Sequence, residues 1–256
     1  MIHPDVRLLV SVPHAGTMVP ADIEATGPAW SDLPDTDWHV DRLAHLASGQ
    51  STDIVIADHS RYVVDLNRPA DDQPLYPGAG TGLVPTETFA GEPLYGPGSE
   101  PNEAERERRR GRYWQPYHDR LQVALDDIRR QHGFALLLDL HSIASRVPRL
   151  FQGRLPDLNL GTFDGRSCDP GLEQAVTQLL TEQNDFSWVV NGRFKGGYIT
   201  RHYGKPSEGV HALQLEIAQA CYMDESDPTT WSAERAAPLV AFLKRLVACL
   251  QAWRPR

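Results

Sequence analysis

The run FALLLDL at residues 134–140 is apolar at every position but one. A strand of that composition has no polar face to offer water, so it demands a sheet covered on both sides. Other short apolar or β-branched runs occupy 6–12, 53–57, 62–66, 188–190 and 210–217, and each reads as a strand. Between several of them the apolar residues change to helical spacing. Trp38, Leu43 and Leu46 do so within 37–50, and Tyr113, Tyr117, Leu121, Leu125 and Ile128 within 102–131. Segments 170–183 and 231–253 complete the helical set. Alternating strands and helices predict an α/β fold around a largely parallel or mixed central β-sheet. No repeat or low-complexity linker interrupts 1–256, which predicts a single domain.

The acids number 34 against 25 lysines and arginines, a formal charge of −9. A chain with no net positive field is not expected to bind nucleic acid or an anionic membrane, though a local cationic pocket for a small anion is allowed. Cys168, Cys221 and Cys249 are scattered and form no CxxC pair, which suits a reducing cytosol better than a zinc ribbon or a disulfide scaffold. The early apolar stretch is short and broken by Arg7, and nothing approaches the ~20 apolar residues of a membrane span. A cytoplasmic protein is expected. Residues 69–101 stand apart: they are rich in Gly and Pro, with Leu75, Tyr76, Leu83, Phe89, Leu94 and Tyr95 interleaved. Such a stretch cannot be regular helix or central strand, and an insertion of this length is expected to pack over a functional site.

In open α/β sheets ligands bind beyond the carboxyl ends of the strands. The first strand runs into SVPHAG, which puts His14 there; FALLLDL runs into His141, with Asp139 two residues earlier on the same side of the pleat. The strand VHALQLEIAQ carries Glu216 near its own end. Two histidines on zinc call for a carboxylate. In DTDWHVDRLAH, Asp37, Asp41 and His45 follow at four-residue steps and are expected on one helical face. A site of His14, Asp37 and His141 leaves a coordination position for water, whose pKa zinc lowers to about 7, and Glu216 then serves as proton acceptor. On the residues alone other readings stay open: hydrogen-bonded structural histidines, Asp35 and Asp37 as helix caps, or a surface Asp41–His45 pair.

Arg61, Asn67 and Arg68 bracket the run in SRYVVDLNRP, and NGRFKGGYITRHYG packs Asn191, Arg193, Lys195, Tyr198, Arg201 and His202 onto a Gly-rich scaffold. Convergent donors in an acidic chain point to recognition of a small anion, with salt bridges to the many acids as the plainer account. ERERRRGR reads as a solvated helix face with internal ion pairs.

At these residues the chain resembles a known family. The blocks SVPHAGTMVP, DTDWHVDRL, SRYVVDLNRP, TGLVPTETFAGEPLY, YWQPYHDRL, DLHSIASRVPRLFQGRLPDLNLGT and NGRFKGGYITRHYGKPSEGVHALQLEIAQACYM, in that order, are similar to the N-formylglutamate amidohydrolases. More distantly the chain resembles zinc carboxypeptidases and aspartoacylases. The resemblance implies a mixed central β-sheet flanked by helices on both faces, zinc-carboxypeptidase-like (phosphorylase/hydrolase-like). It also implies cleavage of N-formyl-L-glutamate to formate and glutamate in histidine degradation. PHAG and DLHS resemble the two histidine-ligand blocks, which makes His14 and His141 ligands of one divalent metal ion, zinc in the first instance. DLNR is similar to a segment that binds the substrate carboxylate or polarises its carbonyl, a part that falls to Asn67 and Arg68. QLEIAQ resembles the strand bearing the general base, Glu216. Carboxypeptidases place their carboxylate ligand three residues after the first histidine, where this chain has Thr17. Asp37 is the expected replacement, with Asp41 as fallback.

The expected chemistry is attack of an activated water on the formyl carbon. Glu216 acts as base and Arg68 or Arg61 meets the oxyanion. Arg61, Asn67, Arg193, Arg201 and Tyr198 are the expected substrate-binding residues. A related deacylase of another acidic N-acyl amino acid is the alternative. A non-haem iron oxygenase is disfavoured because Gly16 stands where its HxD spacing needs a carboxylate.

Overall fold

The computed structural model describes residues 5–49, 51–74 and 81–255; Leu75 and Tyr76 of the Gly/Pro-rich segment lie outside the described residues. Six strands form one sheet: β1 (Leu8–Val12), β2 (Thr52–Ile56), β3 (Ala135–Ile143), β4 (Leu158–Gly161), β5 (Trp188–Val190) and β6 (Val210–Ala218). Their order across the sheet is β2-β1-β3-β6-β4-β5, parallel from β2 to β6, with β4 antiparallel to β6. The sheet is therefore mixed. The chain leaves β1 toward β2 on one side, while β3 lies on the other, so the carboxyl ends of β1 and β3 flank a switch point where a cleft opens.

β3 and β6 are buried at all nine positions each; the run-like sequence of β3 requires it, while in β6 the buried face of Gln214 and Glu216 is polar. Successive side chains feed two cores. Leu8, Val10, Leu136, Leu138, Leu140, Leu213 and Leu215 pack on one face, Leu9, Leu137 and Ala212 on the other. The first face is covered by α2 (Val40–Ala47), α5 (Pro170–Thr181) and α7 (Ala233–Ala252), the second chiefly by α4 (Gln115–His132). Truncating one of these leucines to Ala is expected to cost about 2–5 kcal/mol.

Local signals set the helix ends. Asn102 accepts from the Glu105 amide at the start of α3 (Glu103–Arg109), and Asp169 accepts from Gly171 ahead of Pro170 in α5. Gly133, left-handed at φ 80°, ends α4. A π-helical turn, Arg110–Trp114, joins α3 to α4, so that 103–132 forms one long helical rod with Tyr117, Leu121, Leu125 and Ile128 inward. The short helices α1 (Ala29–Asp32) and α6 (Tyr198–Tyr203) complete the set.

Three expectations need correction. Residues 62–66 form consecutive turns rather than a strand: Val63 donates to Ser60 O, Asp65 to Leu83 O and Arg68 to Asp65 O, while Tyr62, Val63, Val64 and Leu66 fill the α4-side core. Strand β4 was not foreseen, because LNLG is too short to show a period. Asp37, Asp41 and His45 do not share a helical face, because His39 takes a left-handed conformation (φ 62°) and the helix starts only at Val40. Asp37 instead sits in the turn before the helix, its amide donating to His14 O.

Candidate active site

Past β1 the chain turns sharply, and Gly16 lies so close to the backbone of 57–59 that a Cβ would overlap it. That turn brings His14 opposite His141 on β3, ring centroids 4.9 Å apart. Asp37 completes a buried group whose ligand atoms all lie within 4.8 Å of one another. Asp37 Oδ2 is 3.1 Å from His141 Nδ1 and accepts from the Ser142 amide, and it lies 3.9 Å from His14 Nδ1. Asp41, the fallback, lies outside this group, on α2.

Each histidine is held from behind. His14 Nε2 lies 2.7 Å from Asp65 Oδ1 and His141 Nε2 lies 3.0 Å from Asp139 Oδ2. A carboxylate accepting the Nε2 proton leaves Nδ1 to face outward, the arrangement that orients metal-binding imidazoles. Two buried atoms here have no hydrogen-bond partner, His14 Nδ1 and Asp37 Oδ1. Buried polar atoms are seldom left so; Asp37 Oδ1 has the Arg61 guanidinium 3.5 Å away, whereas a divalent cation would satisfy His14 Nδ1. With two imidazoles and one carboxylate as donors, these residues fit zinc or a similar ion.

Arg61 braces the group. Its guanidinium donates to Asp65 Oδ2 at 2.9 Å, lies 3.5 Å from Asp37 Oδ1, and stacks 4.6 Å from the Phe89 ring. Burial and Arg61 together lower the His14 pKa. Burial also opposes charge on His141, but Asp139 and Asp37 overcome it and hold that imidazole well above its ordinary range. Against the same desolvation, His141, His14 and Arg61 keep the Asp37 carboxyl below its usual value, and His14, Arg68 and Arg61 do so for Asp65.

Glu216 is the register partner of His141 on the neighbouring strand, and burial pushes its carboxyl up to about 7. Both line a cavity of about 80 Å³ together with His14, Arg68, Arg193 and Gln214, walled by Phe89, Ile143, Leu150 and Phe194. Phe89 comes from the Gly/Pro-rich segment. Arg68 is braced by Thr81 O and Asn67 O, and Arg193 by Leu150 O.

The structure thus brings together His14, Asp37, His141, Glu216, Arg61, Asn67, Arg68 and Arg193. Asn67 is committed inward: Oδ1 accepts from the Ile199 amide, and Nδ2 lies 3.3 Å from Asp139 and 3.0 Å from His141 Nε2. Tyr198 and Arg201 do not line the cavity. Tyr198 packs among the rings of Trp114, His118 and His202 on α6. Arg201 donates to Gly196 O and lies 4.7 Å over Phe163. Phe89 comes from the segment expected to pack over the site, but Asp65, Gln214, Ile143, Leu150 and Phe194 were not singled out in sequence; Asp65 stood in the DLNR block, but which carboxylate backs which histidine depends on the fold.

Comparison with known proteins converges on one family. The family model described as N-formylglutamate amidohydrolase matches residues 6–223. A protein of Pseudomonas putida described as N-formylglutamate deformylase is 49% identical over 248 residues, covering 96% of this chain and 92% of that one. Its counterpart in Pseudomonas aeruginosa is 48% identical, covering 97% and 94%. The crystal structure of N-formylglutamate amidohydrolase from Ralstonia eutropha superposes with a TM-score of 0.83 at 30% identity, over 96% of this chain and 93% of that one. A gene product from Agrobacterium tumefaciens shares the fold at TM-score 0.69 and 19% identity, over 97% and 94%.

Proposed function

The chain belongs to the N-formylglutamate amidohydrolase family and is an amidohydrolase, and from that premise we propose that it hydrolyses N-formyl-L-glutamate to formate and L-glutamate, as a step of histidine degradation. The observation that carries this reading is a single cavity lined by His14 and His141 of the buried His–Asp–His group, by the buried carboxylate of Glu216, and by Arg68 and Arg193.

His14, Asp37 and His141 are the residues that would hold one divalent cation, zinc in the first instance. When bound, it would supply Lewis acidity that acidifies water and polarises the formyl oxygen. Asp65 and Asp139 hold the Nε2 protons of the two histidines, so each ring presents Nδ1. Glu216 takes a proton from water as the new C–O bond forms at the formyl carbon. It returns that proton to the substrate nitrogen as the C–N bond breaks, leaving formate and the free amine. A carboxyl at about 7 is matched to both transfers near neutral pH.

Arg68 and Arg193 meet the two carboxylates of the glutamate portion, with Arg61 lending positive charge to the developing oxyanion from its place beside Asp37. Asn67 acts on the site through Asp139, to which its Nδ2 donates. Tyr198 and Arg201 support it through α6 and the Gly196 carbonyl. Phe89 and the other apolar walls limit the acyl group to a small one. The three free cysteines suit the cytosol; among the described residues no helix is long and apolar enough to cross a membrane.

The test is incubation of purified protein with N-formyl-L-glutamate, N-acetyl-L-glutamate and N-formyl-L-aspartate, with products read by NMR. Formate and glutamate in equal amounts, lost after chelation and restored by zinc, are expected. Faster turnover of the acetyl or aspartyl compound overturns the substrate assignment, and undiminished turnover under chelation overturns the cation.

A further inference from the structure

One register row crosses three strands of the sheet, Val55 on β2, Ser11 on β1 and Asp139 on β3. Ser11 and Asp139 point to the α4 face, in step with Leu9 and Leu137 two residues before them. Both are fully buried amid apolar side chains, where an unpaired hydroxyl or carboxylate carries a heavy desolvation cost. Neither lines the cavity.

Their hydrogen bonds have a fixed direction. The Asp139 carboxylate can only accept, so Ser11 Oγ donates to its Oδ1 at 3.1 Å. Ser11 is then left to accept, and Tyr117 OH, reaching down from α4, lies 3.0 Å away. Tyr117 OH is also 3.3 Å from Val55 O, so its one proton is shared between Ser11 Oγ and that carbonyl, and the pair holds it over the row. At the other end Asp139 Oδ2 faces His141 Nε2 at 3.0 Å and Asn67 Nδ2 at 3.3 Å. The chain Tyr117–Ser11–Asp139 therefore stops the carboxylate from rotating and holds it against His141 Nε2, on the side of the ring away from Asp37.

We propose that Ser11 and Tyr117 are positioning residues for the cation site, locking Asp139 so that His141 presents Nδ1 beside Asp37. This rests on the reading of His14, Asp37 and His141 as the ligand set. Partners of metal-bound histidines typically alter metal affinity about 10–100-fold when removed, and a brace one bond further out is expected to alter it about threefold to tenfold.

The experiment measures zinc dissociation constants by competition with a chromophoric chelator, on wild-type protein and the variants Ser11→Ala, Ser11→Thr, Tyr117→Phe, Ser167→Ala and His14→Ala. Ser11→Ala should weaken zinc about threefold to tenfold, Tyr117→Phe less, and Ser11→Thr should retain wild-type affinity because it restores the hydroxyl. Ser167 is an equally buried serine whose Oγ donates to Ala212 O away from the site; its replacement should lower Tm without moving zinc affinity. Tyr117→Phe, which removes one oxygen and keeps the ring, carries the test should Ser11→Ala not fold. Unchanged affinity in Ser11→Ala and Tyr117→Phe, with His14→Ala zinc-free, overturns the inference alone. Equal zinc uptake by wild type and His14→Ala overturns the ligand set and the inference with it.

Discussion

Gln214 stands two residues before Glu216 on β6 and donates from Nε2 to Glu216 Oε2 over 3.2 Å, while its own Oε1 takes the amide of Gly197. The neighbouring strand repeats the relation, with Asp139 two residues before His141 and bonded to it. Asp139 pairs with Gln214 in register and His141 with Glu216, so a polar row supports the reacting row directly above it. A donor to the ionised carboxylate favours ionisation. Gln214→Met removes it at nearly constant volume and leaves the Gly197 amide unpaired, costing about 1–3 kcal/mol of stability. The acid limb of kcat/KM should then move to higher pH and kcat fall about tenfold. An unchanged limb would mean that Gln214 serves the backbone only.

Glu216 must be ionised to accept a proton, and burial places its carboxyl at about 7. Protonation below that point removes the base, so kcat/KM should fall tenfold per pH unit on the acid side, with the break at about 7 or lower when a cation is bound. Glu216→Gln keeps the shape and abolishes the proton transfer. Its turnover should drop about 10²–10⁴-fold while zinc content stays at the wild-type level. Retained activity in a fully metallated Glu216→Gln protein would remove this residue from the mechanism.

A Cβ on Gly197 would collide with the side-chain amide of Asn67. Asn67 is held by the Ile199 amide at the start of α6 and turned toward Asp139 and His141, so any displacement is felt behind the histidine. Gly197→Ala is expected to cost about 1–3 kcal/mol through overpacking. It should also lower kcat/KM more than the Tm shift explains, read side by side in thermal melts and initial rates.

The sheet and its covering helices were legible because FALLLDL leaves no polar face, because VHALQLEIAQ is an extended apolar run on the face of Leu213, Leu215 and Ile217, and because 102–131 keeps one inward stripe. His14, His141 and Glu216 were legible as candidates because each stands near the carboxyl end of a strand, where open α/β sheets bind ligands, while the same residues also suited hydrogen-bonded structural roles until the fold brought them together. Asp37 lay within a pattern that also suited a helical face, and only the left-handed His39 separates it from Asp41. The Gly-rich block 191–202 looked like one cationic cluster, yet α6 begins inside it and turns Tyr198 and Arg201 away, leaving Arg193 at the cavity. Arg109 shows the same limit. Its run read as a solvated face, but this side chain is buried against Tyr95 OH and Glu105. Register between distant strands, which creates the Ser11–Asp139 bond, leaves no local trace.

His118 offers a test of the fold apart from the site. It is buried between Trp114, stacked at 3.8 Å, and Tyr203, and its Nε2 lies 2.9 Å from Leu66 O. That carbonyl can only accept, so Nε2 carries the proton, and Nδ1 shares the one proton of Tyr203 OH with the His118 carbonyl, at 2.9 and 3.1 Å. Burial lowers the pKa to about 4 from the ordinary 6.5. Between those values the unfolded chain binds a proton that the folded one does not, so stability falls as pH drops from 6.5 and this loss ends below about 4. The full excursion is worth about 3 kcal/mol. His118→Gln cannot take up that proton. It should be less stable at pH 7.5, where wild type keeps both bonds, yet lose less stability on acidification. Urea midpoints at half-unit steps from pH 7.5 to 4 measure the difference, which cancels the other titrating groups common to both proteins. Parallel curves for the two would show that His118 is protonated as readily in the fold as in water.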